Sequence, residues 1–465
     1  MKVLLVAATL LFSASMANAA PRPDQQQFRE LYKELVETNT THSNGDCTLA
    51  ATRMAARLKS AGFTDADLNV FFPENLPLDG GLIATFAGSD PKLGAVMLLA
   101  HLDVVEAKRE DWTRDPFTLI EEDGWFYARG AADDKAQAAI WTDTMARLKV
   151  AGAKPKRTIK LLLSCGEESG ARINNVRWLI EKHPDWIKAS FALNEGGGGS
   201  LKADGTPLAL IFQAGEKVSQ NFKVEAINPG GHSSVPRPDN AIYALSTAMN
   251  RIAAYEFPIR MSEITRASFT ALGKMTPGPM GEAMLKLVAN PTDKAADAIV
   301  SKDPRFHSLL RTTCVATQIE GGHAINALPQ RAFANINCRM FPTDTPSDVG
   351  AQLKAAIGDA PVTIVAVPPV NPVNAPPPLA GEVYDKAATL AKQHFPGVPI
   401  VPSMSTGATD ARFLIAAGVP TYGVPGLLSD GSNNAHGLNE RISVKWLMTG
   451  RDYLFDLVKA YAGAK

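Results

Sequence analysis

Acidic residues and histidines stand at four positions where apolar segments of the sequence end, and one more histidine lies in a late loop. The apolar runs at 97–100, 161–166 and 191–194 are typical of buried strands. In open α/β sheets, ligands collect at the carboxyl ends of the strands, so these side chains are expected to meet. The residues are His101, Asp103, Asp133, Glu167, Glu168, Glu195 and His436.

The types of these residues indicate a metal centre. Carboxylates are rarely buried without a partner, and several together would repel one another unless cations lay between them. Imidazole and carboxylate ligands without thiolate suit Zn²⁺, with Co²⁺ or Mn²⁺ as alternatives. The set exceeds what one tetrahedral ion with an open position needs, and it fits two ions that share a bridging carboxylate. Taken singly, each residue has an ordinary alternative role as a surface charge, a helix cap or a core histidine.

The segments between these residues predict an α/β fold with a mostly parallel sheet flanked by helices. Helical stretches such as 135–150 alternate with apolar strands such as 158–165, the pattern of a sheet covered on both faces. After about residue 214, segments such as 217–227 and 331–340 alternate like half-exposed antiparallel strands. We therefore expect the α/β domain to be interrupted by an inserted α+β domain.

The predicted divisions of the mature chain are residues 20–214 for the first part of the α/β domain, 215–370 for the inserted domain and 371–465 for the second part. A Pro-rich stretch at 367–378 is typical of a linker. Within the inserted domain, residues 257–310 are punctuated by Pro, Met and Gly and show no clear period.

The first 19 residues have the pattern of a secretory signal peptide. Lys2 precedes an apolar run at 3–12, and Ala17-Asn18-Ala19 matches the small-x-small cleavage signal. We therefore expect a periplasmic or secreted protein, with an N-terminal core helix as the alternative. Later apolar runs fall short of the roughly 18 residues that a membrane span needs, so no membrane partner is expected.

Charge and cysteine content narrow the function. The 47 basic and 47 acidic side chains balance, which offers no electrostatic footprint for nucleic acid. The four cysteines contain no CxxC pair, and a cysteine hydrolase built on Cys165 lacks a recognisable signature. Export permits a disulfide between Cys314 and Cys338, and free buried cysteines are the alternative.

The motifs around these residues resemble those of the zinc-dependent exopeptidase and deacylase family that includes glutamate carboxypeptidase, aminoacylase, succinyl-diaminopimelate desuccinylase and carboxypeptidase S. The stretch from Trp112 to Lys135 is most similar to the carboxypeptidase S and secreted N-acyl-amino-acid hydrolase branch. The segments that carry the resemblance are HLDVV at 101–105, DGWFYARGAADDK at 123–135, EE at 167–168, NEGG at 194–197, GHSSVP at 231–236, CRMFP at 338–342 and HGLNE at 436–440.

The resemblance implies two Zn²⁺ ions per subunit, with Co²⁺ or Mn²⁺ as substitutes. Asp133 would bridge the two ions. His101 and Glu195 would complete one metal site, and Glu168 and His436 would complete the other. A zinc-dependent metallopeptidase or amidohydrolase is thus the expected enzyme class.

Further roles follow from the same resemblance. Glu167 would be the general base, and Asp103 would accept a hydrogen bond from His101 and fix its ring. His232, in the inserted domain, would stabilise the oxyanion, often from the partner subunit. Asp134 is expected to cap the helix that follows it.

Three residues of the resemblance concern the substrate. Arg339 would hold a free carboxylate, a task that suits its bidentate fork. Asn326 and the backbone amide of Gly407 would lie close to the same carboxylate.

These expectations describe an exported di-zinc hydrolase that cleaves the amide next to a free C-terminal carboxylate in short peptides, with N-acyl amino acids as alternative substrates. The resemblance also implies that the inserted domain is a lid and a dimerisation domain. The segment 257–310 makes the inserted domain longer than the usual lid of the family. Whether the chain forms the usual homodimer is therefore undecided. A metal-free binding protein of the same fold is a further alternative, which the presence of every ligand position argues against.

Overall fold

The computed structural model describes residues 22–464 except 169, 171 and 374. The predicted signal peptide, residues 1–19, lies outside these described residues. Among the helices that are described, none has the length and apolar character needed to cross a bilayer.

The secondary structure of the described residues alternates strands and helices on either side of an antiparallel insertion. The strands are β1 Leu68–Phe71, β2 Gly81–Phe86, β3 Ala95–His101, β4 Ile120–Glu122, β5 Trp125–Tyr127, β6 Thr158–Ser164, β7 Phe191–Leu201, β8 Pro207–Glu216, β9 Val218–Ile227, β10 Gly231–His232, β11 Thr313–Gly321, β12 Ala327–Leu328, β13 Arg331–Met340, β14 Thr363–Ala366, β15 Ile400–Ser405, β16 Thr421–Ser429 and β17 Arg441–Ser443. The helices are α1 Pro23–Val36, α2 Cys47–Ser60, α3 Lys135–Val150, α4 Asn175–Lys182, α5 Ala241–Ala254, α6 Glu263–Met275, α7 Pro279–Ala289, α8 Lys294–Val300, α9 Pro304–Leu310, α10 Pro346–Ile357, α11 Glu382–His394, α12 Ala411–Ala416 and α13 Val444–Ala462.

The main sheet has eight strands in the order β1-β2-β6-β3-β7-β16-β8-β15. Its central strands β6, β3, β7 and β16 run parallel, and β15 runs parallel to β8. The strands β1 and β2 pair antiparallel at one end. Because the central strands are parallel, their carboxyl ends meet at one edge, as the sequence predicts.

The strand β3 shows why the centre of the sheet is covered on both faces. All seven of its residues are buried. Val96, Leu98 and Ala100 belong to the large core formed with α1, α3 and α13, whereas Met97 and Leu99 belong to a second core with α4 and α12. Alternate residues of a strand point to opposite faces, so a continuous apolar run needs helices on each side.

The inserted segment forms its own antiparallel sheet in the order β11-β13-β9-β14. The helices α5 and α10 pack on one face of this sheet around Phe222, Leu245, Ile336 and Leu353. The main sheet therefore gives way to the inserted sheet between Glu216 and Val218. Beside this sheet, β10 and β12 pair as a two-stranded ribbon.

The extension at 257–310 is helical, which the sequence did not predict. It contains α6 to α9, which share a small core around Phe269, Met284 and Leu287. The helix α6 also packs against β15, and Ile264 joins the large core of the main domain. The extension is therefore joined to the α/β domain as well as to the insertion.

Two disulfide bonds pair the four cysteines. One joins Cys314 on β11 to Cys338 on β13, the pairing that the sequence left open. The other joins Cys47, the first residue of α2, to Cys165 just after β6. Because Cys165 carries no free thiol, the alternative of a cysteine hydrolase is excluded.

Candidate active site

The carboxyl edge of the main sheet gathers six of the residues singled out in the sequence. His101 is the last residue of β3, and the register pairs it with Ser164, the last residue of β6. Glu167 and Glu168 follow β6, and Glu195 lies within β7. Asp133 lies in the loop between β5 and α3, and His436 lies in the loop between β16 and β17. We call His101, Asp133, Glu167, Glu168, Glu195 and His436 the site cluster.

Distances within the site cluster form two sets around Asp133. His101 Nε2 lies 3.2 Å from Asp133 Oδ1 and 3.7 Å from Glu195 Oε1. His436 Nε2 lies 3.3 Å from Asp133 Oδ2 and 2.9 Å from the Glu168 carboxylate. The two oxygens of Asp133 thus face different histidines, which is the arrangement expected of a carboxylate shared by two cations.

Asp103 supports the site cluster differently from the sequence-based expectation. The His101 ring uses Nδ1 to donate to the backbone carbonyl of Asp103 at 2.9 Å, while the Asp103 carboxylate lies 3.8 Å away. That carboxylate accepts the backbone N–H groups of Glu167, at 3.3 Å, and Glu168, at 3.0 Å. Asp103 therefore fixes the ring through its main chain and the Glu167–Glu168 turn through its side chain. Because Nδ1 is used in the bond to the carbonyl, Nε2 of His101 would be the nitrogen that binds a metal ion.

Asp134 also departs from its expected role. It occupies the N-cap position of α3, but its side chain makes no capping hydrogen bond. It is buried beside Asp133, and its Oδ2 has no hydrogen-bond partner among the described residues. Burial raises the pKa of Asp134 well above its usual value.

Burial dominates the electrostatics of the acidic residues. It raises the pKa of Glu167 to about 8, that of Glu168 to about 7 and that of Glu195 well above its usual value. Burial acts on Asp133 in the same direction, but hydrogen bonds from His101 and His436 outweigh it and lower the pKa. The hydrogen bond to Asp133 raises the pKa of His436 to about 9.

Divalent cations fit this donor set. The raised pKa values of these buried carboxylates indicate that too little positive charge surrounds them. Cations bound between the carboxylates would supply that charge. Side-chain donor atoms of His101, Glu167 and Glu195, and likewise of His101, Asp133 and Glu168, lie within 4.8 Å of one another. Imidazole and carboxylate donors without thiolate are the ligands of catalytic zinc and related ions.

The predicted oxyanion residue and one predicted substrate contact lie elsewhere. His232 and Asn326 are exposed on the ribbon of the inserted domain, where Ser233 N–H donates to the Asn326 carbonyl at 3.0 Å. His232 Nδ1 contacts the Ser234 hydroxyl at 2.7 Å. Within the described residues, neither side chain has a hydrogen bond to the site cluster, so the structure does not bring them together with it.

The other two predicted substrate contacts come from opposite domains. Gly407 is exposed two residues after β15, and its N–H donates to Ser405 Oγ at 3.0 Å. Arg339 is half-buried near the end of β13, and burial and the charge of Arg412 lower its pKa. Arg412, at the start of α12, was not singled out in the sequence, and its charge also acts on Glu167. The charge of Arg412 therefore acts on both Arg339 and Glu167.

A cavity of about 220 Å³ opens on the other side of the site cluster. Its polar lining includes Asp133, Glu195, Gln137 and Arg441. Trp125, Val424, Leu427 and Leu428 supply apolar wall, and the glycines 196–199 form its floor. No pattern in the sequence indicates this cavity, because its walls come from segments about 300 residues apart.

A mostly parallel sheet that gathers two histidines and several buried carboxylates at its carboxyl edge defines a metal-dependent hydrolase. The chain belongs to the peptidase family M20/M25/M40, whose model matches residues 97–460. One solved structure of similar fold, the YXEP protein of Bacillus subtilis, is described as a dinuclear metal-binding peptidase of the M20 family; its TM-score is 0.58 at 12% identity, covering 94% of this chain and 97% of that chain. The resemblance predicted from the motifs, the fold class and the enzyme class, a metal-dependent peptidase or amidohydrolase, are thereby confirmed.

Similar proteins span both peptide and acyl-amino-acid chemistry. The chain is 28% identical over 386 residues to the human N-fatty-acyl-amino acid synthase/hydrolase PM20D1, covering 81% of this chain and 76% of that protein. It is 26% identical to the probable carboxypeptidase S-like 2 of Dictyostelium discoideum, covering 84% and 78%. The M20 metallo-carboxypeptidase Sso-CP2 of Sulfolobus solfataricus has a similar fold, with a TM-score of 0.69 at 18% identity, covering 95% of this chain and 100% of that chain.

Proposed function

We propose that the protein is an exported di-zinc hydrolase that cleaves the amide bond next to a free C-terminal carboxylate in short peptides. The proposal rests on the position of Asp133, whose two carboxylate oxygens face His101 on one side and His436 on the other. Glu167 lies close to His101. His101 and Glu195 would hold one zinc ion, and Glu168 and His436 the other. Co²⁺ or Mn²⁺ would suit the same donors.

The residues of the site divide the hydrolytic work. Bound divalent cations supply a Lewis acid that polarises a carbonyl and lowers the pKa of water. Glu167 takes the proton of the attacking water and returns it to the leaving nitrogen. Asp103 holds Glu167 in place by accepting its backbone N–H. His232 donates a hydrogen bond to the developing oxyanion, which requires it to reach the site cluster from the exposed ribbon.

Arg339 supports recognition of a free carboxylate. It is half-buried, and within the described residues it forms no ion pair, although Arg412 and Lys217 lie near enough for their charges to interact with it. A half-buried arginine without a carboxylate partner of its own favours an anionic ligand. The Asn326 side chain and the Gly407 N–H would complete this carboxylate site when the two domains approach each other.

N-acyl amino acids are the second candidate substrates. The cavity beside Asp133 and Glu195 is lined in part by Trp125, Val424 and Leu427, which offer apolar surface to an uncharged acyl group. The human relative is named as an N-fatty-acyl-amino acid synthase/hydrolase, which supports the same reading. In both candidates the scissile amide lies next to the carboxylate that Arg339 would bind.

The test compares dipeptides and N-acyl amino acids, each with a free and an amidated carboxylate. We expect cleavage only of the free acids, by a protein that retains two zinc ions in metal analysis. Arg339→Met should raise KM for them about 10- to 100-fold, the cost of losing a charged hydrogen bond. Arg331→Met, on the exposed end of the same strand, is the matched control and should behave as wild type. Equal rates on free and amidated substrates would contradict the proposal.

Export is supported by the two disulfide bonds, because such bonds persist in oxidising compartments such as the periplasm. Sequencing the N-terminus of the mature protein checks this part of the proposal. A chain that starts at residue 20 is expected, and a chain that retains Met1 would contradict it.

A further inference from the structure

Glu440 is a buried carboxylate that does not belong to the site cluster, yet it touches the loop that carries Asp133. Its exposed fraction is 0%. Oε1 accepts the backbone N–H groups of Ala132 at 2.7 Å and Asp133 at 3.0 Å. Oε2 accepts the N–H of Gly130 at 2.9 Å and Nη1 of Arg129 at 2.8 Å. Every partner of this carboxylate is a donor.

Residues next to Asp133 in turn contact the loop that carries His436. The Arg129 side chain uses Nη2 to donate to the carbonyl of Gly437 at 2.8 Å. The carbonyl of Glu440 accepts the N–H of Ala128 at 3.1 Å. Arg129 also lies over the Trp112 ring, 5.0 Å from its centroid. The loops 128–133 and 436–440 are therefore joined by side chains and main chain from both sides.

This network is specific for a carboxylate. An amide at position 440 would keep one acceptor oxygen and turn its NH₂ group towards two donors, leaving those donors buried without partners. A buried charge is costly unless it is fully hydrogen-bonded, and Glu440 meets that condition with Arg129 and three N–H groups. Such a group fixes geometry more than it adds stability.

We propose that Glu440 is a positioning residue that sets the distance between Asp133 and His436 and thereby the affinity of the cation between them. The inference rests on the proposed function, since it presumes two cations. Asp133 is shared by both cations, but the remaining ligands of the other cation, His101 and Glu195, come from strands β3 and β7, which the 436–440 loop does not hold. Loss of the Glu440 contacts therefore loosens one metal site more than the other.

The experiment removes zinc from the full-length, metal-loaded protein with a chromophoric chelator and measures two dissociation constants. In Glu440→Gln, one constant should weaken about 10- to 100-fold, the range for outer-shell partners of metal ligands, while the other stays within about 3-fold of wild type. Added zinc should restore much of the lost turnover, which a merely structural defect would not allow. Glu121→Gln, an exposed carboxylate on the neighbouring strand β4, is the control and should keep both constants.

Arg129→Lys provides a second variant in case Glu440→Gln does not fold. It keeps a cation beside Glu440 but loses the bond to Gly437, so the same single constant should weaken. Unchanged constants in a folded variant, or equal weakening of both, would overturn the inference. If the wild-type protein itself binds fewer than two zinc ions, the proposed function fails instead, so the two failures are distinguishable.

Discussion

Asp133 shows how neighbours can reverse the effect of burial on a carboxylate. Burial raises the pKa of Glu167, Glu168 and Glu195, whereas the pKa of Asp133 is lowered because both of its oxygens face imidazole rings. Asp133 is thus the one member of this acidic set that ionises readily without a metal ion. This favours it as the shared ligand in the proposed function.

The role of Glu167 is tested by replacement with its isosteric amide. Glu167→Gln should keep its zinc, because the residue is proposed as a base and not as a ligand. Turnover should fall at least about 100-fold, the contribution typical of a general base. Metal analysis and initial rates on one peptide measure the two effects separately. Near-wild-type turnover in the variant would remove Glu167 from the base role.

At the level of residues, the sequence predicted that the members of the site cluster meet, but it predicted neither how they are held nor the exposed positions of His232 and Asn326. His101, Asp133, Glu168, Glu195 and His436 could be found because strand ends and motifs place them. The use of the Asp103 carbonyl by His101 depends on differences of about 1 Å between two acceptors, which only the folded backbone determines. The same holds for the missing cap at Asp134, whose side chain is buried in the site instead.

The junction between the two domains contains two adjacent buried charged residues, Glu216 and Lys217. Glu216 is the last residue of β8, and Lys217 lies between β8 and β9. Glu216 accepts hydrogen bonds from the N–H of Thr409 at 3.0 Å and from its hydroxyl at 2.9 Å. Burial raises the pKa of Glu216 to about 7, against the opposing effects of Thr409 and the charge of Arg412. Burial likewise lowers the pKa of Lys217 to about 7.

Folding stability should therefore depend on pH through Glu216. A raised carboxyl pKa means that the folded state holds a proton, so the stabilisation is complete below about pH 4.5 and is lost as pH rises towards 7. Glu216→Gln does not titrate. Its stability relative to wild type should therefore increase by up to about 3 kcal/mol between pH 4.5 and pH 8. Urea unfolding of both proteins at each pH measures this difference. A difference that does not change with pH would contradict the prediction.

At the level of elements, long buried strands were easier to predict than the extension at 257–310. A strand such as β3 can be predicted because six of its seven residues are apolar, and the structure buries all seven. The helices α8 and α9 have only seven residues each, about two turns, and two of the four helices, α7 and α9, begin at proline. So short a segment cannot display a helical period clearly, and proline at a helix start resembles a loop signal.

At the level of the whole molecule, His232 makes no hydrogen bond to the site cluster among the described residues, and the ribbon that bears it is exposed. A second copy of the chain could supply this histidine. Mixing His232→Ala with Glu167→Gln, each inactive alone, should then restore up to about a quarter of wild-type activity if subunits exchange in a symmetric dimer. Initial rates before and after mixing, with the oligomeric state from light scattering, measure the effect. No gain after verified exchange would show that His232 acts within its own chain.

The disulfide pattern is another property of the whole molecule that the sequence left open. Four cysteines allow three pairings, and Cys47 lies 118 residues from Cys165. Their approach depends on the packing of α2 against the main sheet, which no local pattern reveals. By contrast, Cys314 and Cys338 face each other on adjacent antiparallel strands, a neighbourhood that a hairpin-like spacing of 24 residues already suggests.

The extension at 257–310 has a consequence for solubility. The strand β15 is the last of the main sheet, and an uncovered last strand offers a row of unpaired N–H and C=O groups to other chains. The helix α6 packs against β15 in the full chain. If α6 to α9 were removed, β15 would lose this neighbour, so we expect such a shortened chain to aggregate more readily than the full chain.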